Sequence, residues 1–315
     1  MRCTSPRTVG FESDGKTLAW SQKKYSKQYA SFQLPCGKCI ECRLDYARQW
    51  ALRCYHESQM HEKNCFITLT YSDKNLKSPK LVYEDFQYFM RMLRRTQDEP
   101  IGMMVTGEYG DENKRPHWHA ILFNYAPRDM AYSRKNIRGD RIYNSKIIDK
   151  IWGHNDPIQM PSEIGSVTFE SAGYVARYAT KKLVHGWDND EYKPISKKSS
   201  KHAIGKKWLE KYWWTDCFSL GHIVLPNGRG TCAIPRYYQK WLQDNRPDDW
   251  LRYVTQTKTK KVTAAEQAQE KIMLDYHEMA EKRGNRGWSL LTPNQTREII
   301  SKQKLQLLLQ KEKKC

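Results

Sequence analysis

Between residues 65 and 169 the apolar residues switch repeatedly between a period of two and a period of about 3.6, and this alternation limits the fold more than any other property of the chain. Cys65 to Tyr71 (CFITLTY) alternates as a strand. Tyr83 to Thr96 places Phe86, Phe89, Met90 and Leu93 at i, i+3, i+4 and i+7, which predicts a helix with one apolar face. Ile101 to Glu108 reads as a second strand, and the loop 109–116 (YGDENKRP) joins it to a third, His117 to Phe123, as a hairpin. Ser145 to Trp152 carries Ile147, Ile148, Ile151 and Trp152 in helical phase. Ser166 to Phe169 then reads as a short strand and Ser171 to Leu183 as a helix.

The order β-α-β-β-α-β is the ferredoxin-like unit with one more helix appended, so the fold class is α+β. In that topology the first and third strands lie side by side in the middle of an antiparallel sheet. Helices cover one face, and the other is left for a substrate.

Four segments follow from the pattern. Residues 1–63 hold an irregular Lys- and Tyr-rich arm to residue 45, ending in a cysteine cluster, then a helix from about Asp45 to Lys63 with Trp50, Leu52 and Tyr55. Residues 64–190 are the β/α core, 191–255 a basic extension rich in Trp and Tyr, and 256–315 a helical C-terminal region. Its two amphipathic stretches, 262–283 and 293–311, flank a break at Gly284 to Pro293.

Charge narrows the function. Lys and Arg number 54 against 35 Asp and Glu, a formal net charge of +19, and aromatic residues make up 12% of the chain. Cations interleaved with stacking side chains suit a polyanion with exposed bases. No stretch has the roughly 18 uninterrupted apolar residues of a membrane span, and MRCTSPRTVG lacks a signal-peptide core, so a soluble cytosolic protein without a membrane partner is expected. Nine cysteines, three of them as Cys36-x2-Cys39-x2-Cys42, suit thiolate ligation of a metal in a reducing compartment better than a disulfide framework. A structural Zn2+ needs a fourth ligand; Cys3 is the first choice and Cys54 its competitor, while free thiols or an iron–sulfur cluster are the other readings of the same spacing.

His117 and His119, two apart in a strand, project from one face while Trp118 points away. The hairpin sets Glu108 across from His117. Two imidazoles and one carboxylate form a mixed N/O site for Mg2+ or Mn2+ with positions left for water and substrate oxygens. On the helix after the fourth strand, Tyr174, Tyr178 and Lys181 fall at i, i+4 and i+7, and the cations Arg177 and Lys181 would favour a phenolate nucleophile.

These residues, in this order, carry a resemblance. FITLTY (66–71), RPHWHAILF (115–123) and YVARYATKK (174–182) resemble motifs I, II and III of HUH endonucleases. The two-tyrosine helix is similar to that of replication initiators of small icosahedral single-stranded DNA phages, with Arg177 where a Lys often stands. PCGKCIECR (35–43), GEYG (107–110), IGKKWLEKY (204–212) and PRYY (235–238) resemble the gokushovirus branch. The resemblance implies a rolling-circle initiator of the microvirus type. His117, His119 and Glu108 would hold the metal; Tyr174 or Tyr178 would form a 5′-phosphotyrosine and free a 3′-hydroxyl primer on a single-stranded origin. A host helicase and polymerase would act downstream, in the cytoplasm of a bacterium. The competing readings are an HUH transposase or plasmid mobilisation nuclease, and a non-catalytic single-strand-binding or packaging protein.

Overall fold

The alternating and helical stretches settle into a mixed α+β structure whose centre is a seven-stranded sheet. The structure, a computed structural model, describes residues 3–110, 113–137, 139–153, 161–185, 194–199, 201, 203–228, 230–283 and 291–313; for residues 178–185, 227, 309 and 311–313 it describes the backbone alone. In chain order the elements are β1 (Arg7–Phe11), β2 (Leu18–Ala19), β3 (Phe32–Leu34), α1 (Ile40–Ser58), β4 (Asn64–Thr70), α2 (Tyr83–Leu93), β5 (Gly102–Tyr109) and β6 (Pro116–Phe123). There follow β7 (Ala131–Lys135), β8 (Arg141–Asn144), α3 (Lys146–Trp152), β9 (Glu163–Gly165), α4 (Phe169–His185) and β10 (Ile195–Lys198). The remainder comprises α5 (Lys206–Tyr212), β11 (Ile223–Val224), β12 (Thr231–Cys232), α6 (Arg236–Asn245), α7 (Pro247–Tyr253), α8 (Thr259–Arg283) and α9 (Pro293–Lys313). Two compact units divide the chain, Met1–Asp45 with Leu251–Gln310, and Tyr46–Trp250 with Lys311–Cys315. Among the described residues, no helix is long and apolar enough to cross a membrane.

The large sheet runs β10-β5-β6-β4-β9-β8-β7. Its inner strands β5, β6, β4 and β9 are antiparallel neighbours, so the first and third strands of the β-α-β-β-α-β order, β4 and β6, lie side by side. β10 extends one edge through Ile195↔Gly107, and the β7–β8 hairpin extends the other. Neither addition was legible from periodicity, because β10 is a short polar strand and β7 is solvent-exposed throughout.

One face of the sheet is dry. Ile67, Leu69, Met103, Val105, Trp118, Ala120 and Leu122 meet α2 and α3 there, and α2 buries Phe86, Phe89, Met90 and Leu93 as the spacing predicts. Each such side chain contributes roughly 1.5–3 kcal/mol relative to exposure. Ser145 caps α3, its hydroxyl accepting from Ile148 N at 3.2 Å.

The opposite face is not left open. Met104, Ile121 and Phe123 pack against Ala47, Ala51 and Cys54 of α1 and against Ala172, Val175 and Ala176 of α4, which corrects the expectation of helices on one face only. Small residues on both helices allow the close approach. α1 is held from its far side by the extension: Gly205 N donates to Glu57 Oε2 at 2.7 Å, Arg53 Nε to Ile204 O at 3.0 Å, and His56 Nδ1 lies 3.0 Å from Tyr238 Oη and its ring stacks on Trp208. Burial holds the His56 imidazole down at about 3, so it is neutral in this network. The segments IGKKWLEKY and PRYY thus act here as the buttress of α1.

Three boundaries differ from the sequence expectation. The fourth inner strand is Glu163–Gly165, and Phe169 already opens α4. α1 begins at Ile40, inside the cysteine cluster rather than after it. The arm is not irregular, since β1 pairs with both β2 and β3 in a small sheet.

Candidate functional site

Strand register builds the first part of the site. Glu108 of β5 pairs with His117 of β6, and Thr68 of β4 pairs with His119. Period two therefore turns Thr68, Thr106, Glu108, His117 and His119 to the α4 face, beyond the apolar patch that α1 and α4 cover.

Glu108 is the hub. Its carboxylate is buried, at 3% relative exposure, and Oε1 lies 2.8 Å from His119 Nε2 and 3.4 Å from His117 Nε2. The ligand atoms of all three residues fall within 4.8 Å of one another. Each imidazole is fixed from behind: His117 Nδ1 lies 3.1 Å from Arg115 O, and His119 Nδ1 lies 3.0 Å from Thr68 Oγ1. With Nδ1 donating to the Arg115 carbonyl, the lone pair of His117 sits on Nε2 and faces the carboxylate, the arrangement a metal-ligating histidine needs. Arg115 is itself held, Nη1 donating to Tyr71 O at 2.7 Å and Nη2 pairing with Asp73. Gly110 N donates to the same Arg115 carbonyl at 2.9 Å and closes the hairpin.

α4 brings in the phenol. Tyr174 Oη donates to Glu108 Oε1 at 2.6 Å and lies 3.2 Å from His119 Nε2. Its ring meets His119 and Phe66 edge-on. Thr106 Oγ1 donates to Val175 O at 3.2 Å, which fixes the turn of α4 that carries Tyr174. Arg177 lies back along α4, its Nη1 2.7 Å from where a Cβ on Gly173 would stand. The side chains of Tyr178 and Lys181 lie outside the described residues; the helical backbone puts Tyr178 one turn beyond Tyr174.

Two imidazoles, one carboxylate and no sulfur form a donor set suited to a divalent cation with open positions. The residues present fit such an ion. Sequence reasoning singled out Glu108, His117, His119 and Tyr174, which the structure brings together, and did not single out Thr68, which lies beside His119. The available signal was a threonine on the site face of an otherwise apolar alternating strand.

A second group lies in the other unit. The sulfurs of Cys3, Cys36, Cys39 and Cys42 also fall within 4.8 Å of one another. Cys54, the competing fourth ligand, is instead buried with Sγ 3.3 Å from Met104 Sδ. Burial opposes ionisation at Cys39, but hydrogen bonds from Cys42 and Thr4 outweigh it and bring its thiol down to about 6, whereas burial pushes Cys3 and Cys42 up.

The family model for the replication-associated protein ORF2 matches residues 64–183, the stretch holding Glu108, both histidines and α4. The chain is 47% identical over 284 residues to the replication-associated protein VP4 of Bdellovibrio phage phiMH2K, covering 87% of this chain and 88% of that one. It is 33% identical over 230 residues to the replication-associated protein ORF4 of Chlamydia phage 1, covering 69% of this chain and 55% of the relative. Against the replication-associated protein ORF2 of Spiroplasma virus 4 the identity is 28% over 243 residues, 72% of this chain and 73% of the relative. No solved structure matches. The chain belongs to the replication-associated proteins of small single-stranded DNA phages.

Proposed function

We propose that the chain is an HUH-type rolling-circle initiator that nicks and rejoins single-stranded origin DNA through a phosphotyrosine. One observation carries this reading: a phenol oxygen, Tyr174 Oη, stands 2.6 Å from one candidate metal ligand and 3.2 Å from another. A tyrosine merely filling a helix face has no need of that position.

Mg2+ or Mn2+ held by Glu108, His117 and His119 would act as a Lewis acid on the scissile phosphate. The chain's own residues do the rest. Glu108 accepts the hydroxyl hydrogen of Tyr174 and aims Oη. Attack of that oxygen on phosphorus forms the Tyr–O–P bond and breaks the bond from phosphorus to the 3′-oxygen. The phenol loses its proton and the departing 3′-oxygen gains one, so a free 3′-hydroxyl remains and the DNA 5′ end stays on the protein. Attack of a 3′-hydroxyl on the phosphotyrosine reverses the exchange, and joining consumes no nucleotide. Tyr178, one turn on, would serve the next cleavage, and the cations Arg177 and Lys181 would favour a phenolate. Basic side chains elsewhere hold the DNA backbone. The 3′-hydroxyl then primes a host polymerase, with a host helicase opening the duplex, in the bacterial cytoplasm where the phage replicates.

The test is cleavage of a labelled single-stranded origin oligonucleotide with Mn2+. A covalent adduct and a released 3′-hydroxyl strand are expected, and a strand that is bound but never cut contradicts the reading. Because unpaired bases can stack on side chains while a duplex hides them, relaxed and fully paired linear DNA should be cut far more slowly.

A further inference from the structure

The four cysteines are held far more specifically than free thiols require. Cys36 N donates to Cys3 Sγ at 3.3 Å, while Lys38 N and Cys39 N donate to Cys36 Sγ at 3.4 and 3.2 Å. The sulfurs of Cys3 and Cys36 thus accept backbone N–H groups, as thiolates do. The turn that makes this possible passes through Gly37 at φ +71, a conformation other residues rarely adopt. The Cys3 and Cys39 sulfurs are 3.8 Å apart, the edge, about 3.8 Å, of a sulfur tetrahedron around zinc with bonds of about 2.3 Å.

Residues beside these ligands also hold α9. Thr4, next to Cys3, donates to Glu298 Oε2 at 3.4 Å, and Glu41, next to Cys42, accepts from Ser301. Ser301 and Leu305, one turn apart on α9, are both buried. The helix start is built for this place: Thr292 and Gln295 form a reciprocal capping box, 2.8 and 3.3 Å, with Pro293 at the first helical position.

We propose that Cys3, Cys36, Cys39 and Cys42 hold one structural zinc, and that this ion is the pin on which α9 docks. The ligands come from three separate stretches of chain, residue 3, residues 36–39 and the first turn of α1. The β1–β3 pairing brings the first two stretches together, and a common ligand would tie both to the first turn of α1, setting the spacing of Thr4 and Glu41 that α9 grips. All four positions are sulfur, so the site is closed and takes no substrate.

The experiment uses the full chain purified without added metal. Metal analysis should find about one zinc per chain, retained in His119→Ala and lost in Cys39→Ser. Hydrogen exchange should show residues 293–305 protected in the zinc form, with protection lost in Cys39→Ser and after stripping the wild-type chain with a thiol-competing zinc chelator, then restored by zinc. Cobalt in place of zinc should give the intense visible bands of a tetrahedral sulfur site. Unchanged zinc in Cys39→Ser, a disulfide among the four cysteines in the native chain, or α9 protection indifferent to zinc would each overturn the proposal. None of these readouts involves DNA cleavage, so they stand or fall apart from the nicking reaction.

Discussion

The two candidate metal centres solve opposite problems with the same elementary rules. At Glu108, His117 and His119 the ligands sit on adjacent strands, so sheet register sets their spacing, and three donors leave positions free for a phosphate. At Cys3, Cys36, Cys39 and Cys42 the ligands sit beside the β1–β3 pairing and at a helix start rather than in one strand register, and four sulfurs would leave nothing free. On this account the first arrangement is set by its strands with or without an ion, whereas the zinc proposed for the second would tie its separate stretches together. What a metal would do at each site therefore follows from what holds its ligands.

Brief EDTA treatment followed by gel filtration should make the largest difference between the two. DNA cleavage is expected to vanish and to return with Mn2+, while about one zinc per chain stays bound, since structural zinc in small domains is held by roughly 10–16 kcal/mol. Zinc leaving together with cleavage would erase the distinction. Next in size is His119→Ala, which should lower the rate of adduct formation on the order of a thousandfold, the equivalent of several kcal/mol of lost charge stabilisation. Binding of single-stranded DNA by filter or anisotropy should change little, because the basic surface supplies it.

How much of this was legible is uneven. The apolar face of α2 and the Glu108-to-His117 pairing followed from period and loop length alone. The β7–β8 hairpin and β10 did not, since a polar edge strand has no buried face to mark it. Cys3 could be chosen as a fourth sulfur because the arm can fold back, but the first turn of α1 was hidden because residues 1–45 read as an irregular arm. Tyr174 was visible as a residue type at helical spacing. Its bond to Glu108 depends on α1 and α4 covering the sheet face, which no local pattern encodes.

Two smaller effects sharpen the comparison. Thr68→Val keeps the strand shape and removes the hydroxyl beside His119 Nδ1. Cleavage should fall about 10–100-fold at limiting Mn2+ and recover in excess Mn2+, the pattern of a positioning residue behind a metal ligand. A loss that excess metal leaves untouched would mean Thr68 acts otherwise. In the other unit, Thr292→Ala removes the α9 capping box and should cost about 1 kcal/mol, seen as earlier exchange of residues 293–296 with cleavage unchanged.

The most direct measurement of the central claim is intact and peptide mass of the chain after incubation with single-stranded origin DNA and Mn2+. A nucleotide-bearing peptide containing Tyr174 or Tyr178 is expected, diminished in each single Phe variant and absent from Tyr174→Phe combined with Tyr178→Phe. An adduct that persists in the double variant, or that maps to any other residue, would contradict the assignment of the phenol at the Glu108–His119 site as the nucleophile.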